Sequence, residues 1–599
     1  MSLLTLPFKA REISAVKSKE VNTIDPMSSF QELRKNLKKD YSGLKRIKIA
    51  LLGDSATQFL MQALKAKGFN RGYDLDFWEA DFNQIDRQVL DSGSELYTFD
   101  PEYVILFRSS HKLLVKYNKQ EPHNGHLFAD EELANIKSGY QFLISKLDAK
   151  VIHYNYSEID DAVFGSYANK TESSFLYQLR KLNCELTSLA SNESSLFVCD
   201  LSSIQNQIGK SNMFTPSIYI NTEMVLSLDA LPAIATRTID IIQSLDGRFN
   251  KCVILDLDNT VWGGVIGDDG IEKIQIGDLG IGKAFTEFQY WIKKLKNRGV
   301  IIAVCSKNTE SIAKEPFERH PDMVLKLEDI SVFIANWDNK VDNILHIQRV
   351  LNISLDSMVF LDDNPFERNL VRENLPEVEV PELPEDPAEY LEYLYTQNLF
   401  ETASYSVEDS SRTKMYQEEA ERVSVKQKFT NEDDFLKTLD MVSTVSSFNP
   451  FNYPRVAQLS QRSNQFNLRT VRYSEAEIKT MAESDNYYTF TFTLSDKFGD
   501  NGLISVIILN FEENDTAFID TWIMSCRVLK RGMENFALNC IVNLLKEKNI
   551  NTLKGEYLKT PKNDLVKDHY KNLGFVERGG YWLLDIPKYK NLKTHINRA

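Results

Sequence analysis

The 599-residue chain lacks any apolar run that approaches the roughly 20 residues needed to cross a bilayer, so we expect no membrane span. Its amino terminus has no basic start followed by an apolar core and a small-residue cleavage site, which predicts no signal peptide. The six cysteines form no CxxC pair, which argues against a zinc site or a disulfide framework. A net charge of −15 argues against nucleic acid as the main partner. These absences favour a cytoplasmic globular protein that binds neither nucleic acid nor membranes.

The chain divides into three regions that differ in the pattern of their predicted strands and helices, and its length predicts about three or four domains. Residues 1–245 are typical of a mixed α/β domain, with strand candidates such as IKIALLGD and EYVILF. Residues 246–400 alternate apolar strands with amphipathic helices, which predicts a parallel sheet buried on both faces. A proline-rich acidic segment, PELPEDPAEY, and a polar stretch then lead to residues 401–599, which we predict to form a separate α/β domain.

Polar residues follow three apolar strands of the middle region at the point where each strand ends. The first strand ends in Asp256 and Asp258, the second in Ser306, Lys307 and Asn308, and the third in Asp362 and Asp363, while Lys340 begins the intervening helix. Sites in open parallel sheets form beyond the carboxyl ends of the strands, so we expect these side chains to meet. Several carboxylates suit a hard divalent cation, and their combination with a hydroxyl and a lysine suits phosphoryl transfer.

The motifs VILDLDNTVWGGVIGDDG, VCSKN, NWDNK and VFLDDNPFERNLVRENLPEV together resemble the haloacid dehalogenase (HAD) superfamily of aspartate-nucleophile phosphotransferases. The likeness is greatest to its FkbH-like branch, subfamily IIIC, and it implies a central Rossmann-like parallel sheet. The spacings after Asp258 and between Ser306 and Lys340 leave no room for the cap domain of HAD enzymes for small metabolites, although WGGVIGDDG could form a small flap. An open site of this kind implies a large or carrier-borne substrate.

The resemblance also implies a role for each motif residue. It makes Asp256 the nucleophile and Asp258 the general acid/base. It assigns phosphate binding to Ser306, Lys307, Asn308 and Lys340. It assigns Mg²⁺ binding to the carboxylates of Asp256, Asp362 and Asp363 and to the backbone carbonyl of Asp258.

Cys305 directly precedes Ser306 and is the only cysteine at a predicted catalytic strand end. Loading of a thiol acceptor could pass through an enzyme-bound thioester, and Lys307, Lys340 and a bound metal would favour the thiolate that this step needs. Alternation along the strand favours the opposite interpretation, in which Cys305 turns away from Ser306 and packs in the core. Both interpretations remain open from the sequence.

The amino-terminal motif LLGDSATQF places Asp54 and Ser55 directly after a strand and resembles the first block of SGNH-type esterases. Those enzymes carry a late Asp-x-x-His that supplies the base, and residues 190–240 contain none. A serine without a base is a weak nucleophile. We therefore expect an SGNH- or flavodoxin-like α/β domain that does not hydrolyse esters and serves for docking or acyl handling.

The carboxyl-terminal segment IMSCRVLKRGMENFALNCIV resembles the strand, turn and helix that bind pyrophosphate in GNAT acyltransferases, where backbone N–H groups at a helix start hold phosphate. The turn has bulkier residues than the usual glycine-rich one, which argues against a close approach of coenzyme A. We expect a GNAT-like α/β domain that could accept a pantetheine arm. The candidate acyl- or pantetheine-binding residues are Arg527, Arg531, Gly532 and Asn563.

FkbH-like proteins take a glyceryl group from 1,3-bisphosphoglycerate, remove phosphate and load the acyl group on the phosphopantetheine thiol of an acyl carrier protein. The resemblance therefore implies an Mg²⁺-dependent phosphatase and glyceryl transferase of secondary metabolism, with a phosphorylated three-carbon acid and an acyl carrier protein as partners. Two alternatives stay open, namely a stand-alone Mg²⁺-dependent phosphatase and a binding or scaffold protein with a vestigial site. The complete set of acid, serine, lysine and diacid motifs argues against a vestigial site.

Overall fold

The computed structural model describes residues 29–405, 412–426, 428–512, 515–525, 528–560 and 562–599. Its strands form a separate sheet in each of the three regions, and apolar clusters cover each sheet. Among the described residues, no helix combines the length and the apolar character that a membrane span requires. The fold is mixed α/β, which confirms the predicted class.

The amino-terminal region forms a parallel sheet with the strand order β2-β1-β3-β4-β5. Its strands are β1 (Lys45–Gly53), β2 (Tyr73–Glu79), β3 (Tyr103–Phe107), β4 (Lys150–Tyr154) and β5 (Leu196–Cys199). Its helices are α1 (Phe30–Arg34), α2 (Gln58–Asn70), α3 (Ile85–Leu90), α4 (Glu95–Phe99), α5 (Ser110–Tyr117), α6 (Phe128–Ile144), α7 (Phe175–Asn192), α8 (Leu201–Ile208), α9 (Lys210–Met213), α10 (Pro216–Thr222) and α11 (Leu231–Leu245). The central strand β3 is buried along its whole length, as expected for a parallel sheet covered by helices on both faces.

The middle region forms a second parallel sheet with the strand order β8-β7-β6-β9. Its strands are β6 (Cys252–Leu255), β7 (Ile301–Ser306), β8 (Val332–Ala335) and β9 (Met358–Leu361). Its helices are α12 (Ile266–Asp269), α13 (Gly280–Asn297), α14 (Glu310–Arg319), α15 (Lys340–Leu351), α16 (Pro365–Asn374) and α17 (Tyr390–Gln397). The apolar face of α13 is buried at Phe285, Phe288 and Ile292, as expected for the amphipathic helices of this region. Gly299 follows this helix with a φ of +93°, a left-handed conformation that ends a helix at little cost for glycine.

The carboxyl-terminal region forms a largely antiparallel sheet with the order β16-β17-β15-β14-β13-β12-β10-β18, with β11 paired to β12. Its strands are β10 (Val442–Ser443), β11 (Val445–Ser446), β12 (Tyr487–Asp496), β13 (Gly499–Glu512), β14 (Thr516–Met524), β15 (Thr552–Gly555), β16 (Val576–Arg578), β17 (Tyr581–Asp585) and β18 (Asn597–Arg598). Its helices are α18 (Arg412–Lys426), α19 (Glu432–Lys437), α20 (Tyr453–Arg462), α21 (Glu475–Glu483), α22 (Met533–Glu547) and α23 (His569–Asn572). The strands β14 and β15 pair in parallel over only their first residues, and α22 connects them.

Helix α18 joins the second and third sheets, since it packs against α15 on one side and β13 on the other. The side chain of Arg422 on this helix is buried and binds Asp496 at the end of β12, with an Nε–Oδ2 distance of 2.8 Å. An ion pair of 2.6 Å between Lys562 and Asp356 also connects the two regions. These contacts hold the carboxyl-terminal region against the amino end of the middle sheet, away from the edge that carries the motif residues.

Candidate active site

Three carboxylates of the motif residues meet at the carboxyl edge of the middle sheet. Asp256 follows β6, whereas Asp362 and Asp363 follow β9, and these two strands pair in parallel. One oxygen of each carboxylate lies within 4.8 Å of the others, and both Asp256 and Asp362 are buried. Clustered buried carboxylates repel one another, and a bound divalent cation relieves that repulsion while taking the oxygen ligands it prefers. The donor set therefore fits Mg²⁺.

Lys340 brings a positive charge to the same carboxylates. Its Nζ atom lies 2.9 Å from Asp256 Oδ1 and 2.5 Å from Asp362 Oδ2, and it is buried at the first position of α15. Burial alone would lower the pKa of Lys340, but Asp256 and Asp362 outweigh burial and raise this pKa above its ordinary value. Burial, together with the neighbouring Asp256, raises the pKa of Asp362. Lys340 is therefore a permanent cation that can hold both carboxylate and phosphoryl oxygens.

Three donors hold the carboxylate of Asp258. Trp262 Nε1 and the Ile266 backbone N–H donate to Oδ1 at 2.9 and 3.0 Å. Asn308 Nδ2 donates to Oδ2 at 2.8 Å and also lies 3.4 Å from the buried Ser306 Oγ. The motif at the end of β7 therefore lies beside the motif that follows β6, as expected. The side-chain amide of Asn308 hydrogen-bonds to Asp258.

The loop after Asp258 folds back over the edge of the sheet as the small flap that the sequence predicts. Gly263 and Gln275 exchange two backbone hydrogen bonds of 3.1 and 2.8 Å, which closes the loop. The short helix α12 lies within it, and its first residue is the Ile266 that donates to Asp258. The flap is a single loop with one four-residue helix, so it is far smaller than a cap domain.

The second lysine of the motif set is paired elsewhere. Lys307 Nζ lies 2.5 Å from Glu367 on α16, whose side chain is buried, and the lysine itself is partly exposed. No contact among the described residues directs the Lys307 ammonium at the carboxylate cluster. Phosphate binding by Lys307 stays a prediction, with less structural support than phosphate binding by Lys340.

Cys305 packs in the core, which favours the packing interpretation over the thioester interpretation. Its side chain is fully buried in the apolar cluster that includes Ile254, Ile344 and Phe360. Burial raises the pKa of the Cys305 thiol to about 12, and the nearby Lys340 does not offset this effect. Alternation along β7 turns Cys305 and Ser306 to opposite faces, so the packing interpretation is the one that the structure supports.

Other residues shape the site without having been singled out from the sequence. Arg368 is buried on α16 and donates through Nη1 to the backbone oxygens of Asp362 and Asp363 at 2.8 and 2.7 Å. The Thr260 hydroxyl accepts from the Asp363 backbone N–H at 3.1 Å and links the first and third motifs. Trp262 and Arg368 lie within the quoted motifs VWGG and PFERN. Trp262 is a large residue and Arg368 a charged one, both close to the acids in the chain, and this could have indicated from the sequence that they belong to the site.

The predicted pantetheine-binding residues of the carboxyl-terminal region have structural partners. Arg531 is buried, and it binds Glu419 on α18 and Asp496, the latter with an Nη1–Oδ2 distance of 3.2 Å. Gly532 has a φ of +80° and caps the start of α22. Asn563 is fully buried and donates to the backbone oxygens of Asn467 and Leu558, both at 2.9 Å. These contacts give Arg531 and Asn563 structural roles, pantetheine binding by these residues and Gly532 stays a prediction, and Arg527 lies outside the described residues.

The gap where β14 separates from β15 is filled by the chain itself. The Leu468 backbone N–H donates to Trp522 O, the Met524 N–H donates to Phe466 O, and the Leu558 N–H donates to Leu468 O. The edge of β14 that an extended arm would need is therefore already paired. The neighbouring Asn467 accepts from the Thr470 backbone N–H at 2.7 Å, so it satisfies backbone groups rather than a ligand.

Asp54 and Ser55 lie at the carboxyl edge of the amino-terminal sheet, as the sequence predicts. The Ser109 backbone N–H donates to Asp54 Oδ2 at 2.8 Å. Ser55 is fully buried, and no described histidine hydrogen-bonds to its hydroxyl. Within the described residues, the Ser55 hydroxyl therefore has no histidine base, and the non-hydrolytic role of this domain stays a prediction.

Comparisons with known proteins match two parts of the chain. The family described as FkbH, N-terminal domain, matches residues 48–243. The crystal structure of the N-terminal part of a Bacteroides fragilis protein, which contains a phosphatase domain and is complexed with Mg, is 58% identical, with a TM-score of 0.61. The match covers 63% of this chain and 100% of that chain. No curated protein matches the chain.

Acetyltransferase structures match a smaller share of the chain. The Escherichia coli ribosomal-protein-S18-alanine N-acetyltransferase is 19% identical, with a TM-score of 0.20, over 24% of this chain and 94% of its own. A GNAT-family acetyltransferase from Desulfovibrio desulfuricans is 10% identical, with a TM-score of 0.21, over 24% of this chain and 99% of its own. Likenesses this low carry no conclusion about activity.

Proposed function

The chain belongs to the FkbH-like family and carries an HAD-type phosphatase domain, and from this premise we propose that it removes phosphate from a phosphorylated three-carbon acid and loads the acyl group on an acyl carrier protein. The observation that carries this proposal is the meeting of Asp256, Asp362, Asp363 and Lys340 at one sheet edge. The preferred substrate is 1,3-bisphosphoglycerate, and the preferred acceptor is the phosphopantetheine thiol.

Mg²⁺ is the proposed cofactor, held by Asp256, Asp362, Asp363 and the backbone carbonyl of Asp258. A bound Mg²⁺ supplies positive charge that offsets the repulsion between the Asp256 carboxylate and the phosphoryl oxygens. The similar Bacteroides fragilis structure is complexed with Mg, and the carboxylates of this chain fit the same ion. Lys340 and Ser306 bind the remaining phosphoryl oxygens and orient them for attack.

Asp256 takes the phosphoryl group. Its carboxylate oxygen attacks phosphorus, the bond from phosphorus to the leaving oxygen breaks, and the electron pair departs with the leaving group. Asp258 gives a proton to the leaving oxygen where this is an alkoxide. Water then attacks the aspartyl phosphate, Asp258 accepts the proton of that water, and inorganic phosphate leaves with Asp256 regenerated.

Loading of the acyl group needs a different bond to break. A glyceryl thioester carries neither phosphate of 1,3-bisphosphoglycerate, so the two phosphates leave by separate displacements. In the loading step the sulfur of the carrier thiol attacks the acyl carbon, the carbon–oxygen bond breaks, and phosphate departs with the electron pair and takes up the thiol proton. Because Cys305 is buried in the core, the proposed transfer is direct to the carrier thiol.

The test combines Mg²⁺, 1,3-bisphosphoglycerate and a holo-acyl carrier protein, with pantetheine as a minimal acceptor in parallel. Intact-mass measurement of the carrier and a phosphate assay are read together, and Asp256→Asn is the matched control. A glyceryl adduct with phosphate release supports the proposal. Phosphate release without an adduct on either thiol supports the stand-alone phosphatase instead, and neither product supports the scaffold.

A further inference from the structure

The amino-terminal sheet carries a polar cluster at the carboxyl edge of its central strands. Asp54 follows β1, Arg108 follows β3, His153 lies near the end of β4, and Tyr156 lies just beyond it. The strands β1, β3 and β4 are neighbours and pair in parallel, so their carboxyl ends share one edge. We name these four residues the amino-terminal polar cluster.

Arg108 lies within electrostatic range of the other three groups. Burial raises the pKa of Asp54 to about 6, and Arg108 acts against that effect. Burial lowers the pKa of His153 to about 3, and Arg108 adds to it. Burial also raises the pKa of Tyr156, again with an opposing contribution from Arg108. The guanidinium itself donates through Nη2 to Asp86 on α3 at 2.6 Å, which fixes its position.

Several polar atoms of this cluster are buried without a protein partner. His153 is fully buried and Tyr156 is 1% exposed. Within the described residues, nothing hydrogen-bonds to either ring nitrogen of His153, to Tyr156 Oη, to Arg108 Nε or to Asp54 Oδ1. Buried polar atoms are nearly always paired, because leaving them unpaired costs free energy. Their concentration at one sheet edge, where ligands bind in folds of this type, indicates a binding site.

The unpaired atoms specify the chemistry of the ligand. Arg108 Nε–H, Tyr156 O–H and one N–H of neutral His153 are donors, and they require oxygen acceptors. Asp54 Oδ1 and the second His153 nitrogen are acceptors, and they require a donor such as a hydroxyl. The guanidinium of Arg108 already faces the carboxylates of Asp54 and Asp86, so the site repels a ligand with one negative charge less than it repels a doubly charged phosphate. A ligand with one carboxylate and at least one hydroxyl satisfies these conditions.

We propose that the amino-terminal polar cluster binds a small hydroxy carboxylate, with its carboxylate on Arg108 and Tyr156 and a hydroxyl group on Asp54. This site goes beyond the proposed function, because it lies in a different sheet from the phosphatase residues. Only the choice of D-glycerate as the probe rests on the proposed function, since glycerate is the hydroxy acid left when both phosphates are removed from 1,3-bisphosphoglycerate.

Calorimetric titration of the full-length protein with D-glycerate tests the site. We expect binding with a dissociation constant on the order of 1 mM, and weaker binding of inorganic phosphate. Tyr156→Phe keeps the buried ring and removes one donor to a charged group, so it should weaken glycerate binding about tenfold. Arg108→Gln should remove measurable binding. Asp256→Asn, which changes the phosphatase site alone, should retain the wild-type affinity.

The outcomes separate this site from the phosphatase site. Glycerate binding that is lost in Asp256→Asn and kept in Tyr156→Phe and Arg108→Gln would overturn the proposal. So would the absence of binding to the wild-type protein, or preferential binding of inorganic phosphate. Unfolding midpoints of the variants show whether a loss reflects misfolding, and Tyr156→Phe keeps the test informative if Arg108→Gln is unstable. Failure of the proposed function is measured independently, by phosphate release and thioester formation.

Discussion

Replacement of Lys340 by methionine tests the electrostatic design of the phosphatase site. In the native protein Lys340 Nζ lies between two carboxylates whose side chains are 10% exposed for Asp256 and fully buried for Asp362. Lys340→Met keeps most of the apolar stem and leaves both carboxylates without their cation. Removing one partner of a buried ion pair costs about 3–5 kcal/mol, and we expect this loss in the free energy of unfolding of the middle domain in the absence of metal.

The same variant should lose catalysis, because Lys340 also holds the transferring phosphoryl group. Loss of one such preorganised donor typically costs about a hundredfold or more in turnover. Mg²⁺ should recover part of the lost stability, since a bound cation stabilises the folded state in proportion to its affinity and concentration. Stability is measured by urea unfolding, followed through tryptophan fluorescence, to which Trp262, Trp291 and Trp337 of this domain contribute, with and without Mg²⁺.

Lys307→Met is the matched control for Lys340→Met. Lys307 forms an ion pair with the buried Glu367, but the lysine is 37% exposed and neutralises one carboxylate rather than two, so water partly replaces it when it is removed. We expect a smaller loss in the free energy of unfolding than for Lys340→Met. Equal stability losses in the two variants, or a Lys340→Met protein as stable as the wild type without metal, would refute the argument that buried charge neutralisation holds this site together.

Four further predictions follow from the same contacts. Asp256→Asn should lower phosphate release in the absence of a carrier more than a hundredfold with an intact fold, and near-normal turnover would remove Asp256 from the nucleophile role. Activity should vanish in EDTA, and Asp362→Ala or Asp363→Ala should weaken Mg²⁺ binding in calorimetry, whereas full activity in EDTA would contradict phosphoryl transfer at a metal site. Cys305→Ala should leave carrier loading intact and only lower the unfolding midpoint, and abolished loading in a folded variant would restore the thioester hypothesis. Burial lowers the pKa of His153 from 6.5 to about 3. Between these two pH values the unfolded chain binds a proton at His153 and the folded chain does not, so the free energy of unfolding should fall as the pH decreases from about 6.5 to about 3. His153→Leu should flatten that pH dependence of the urea midpoint, and an unchanged slope would contradict this origin.

Much of the phosphatase site could be predicted from local sequence pattern. Apolar runs mark the buried strands, Asp256 and Asp362 directly follow two of them and Ser306 ends a third, so parallel pairing alone brings these residues to one edge. The helix α13 and the short flap followed from amphipathic spacing and glycine placement. These features depend on residues close together in the chain, which is why pattern and motif were sufficient.

Other features depended on partners far away in the chain. Arg531 has the residue type and position of an anion-binding turn, yet Glu419 and Asp496 bind it from distant elements. The gap between β14 and β15 is filled by Phe466 to Leu468, a segment that precedes both strands. No local pattern indicates such pairing, so the resemblance of the turn to a binding motif could not show that Arg531 has partners within the protein.

The sequence by itself determined the α/β class, the order of the sheets and the acids at the strand ends. It could do so because the hydrophobic pattern of neighbouring residues indicates where each strand and helix begins and ends. Tertiary structure decided which charges face one another. It set Lys340 between Asp256 and Asp362, turned Cys305 into the core, bound Arg531 in an ion-pair network, and left Arg108, His153 and Tyr156 with unpaired atoms at a second edge. Burial and distance govern the energy of charges and hydrogen bonds, and both exist only once distant segments have packed together.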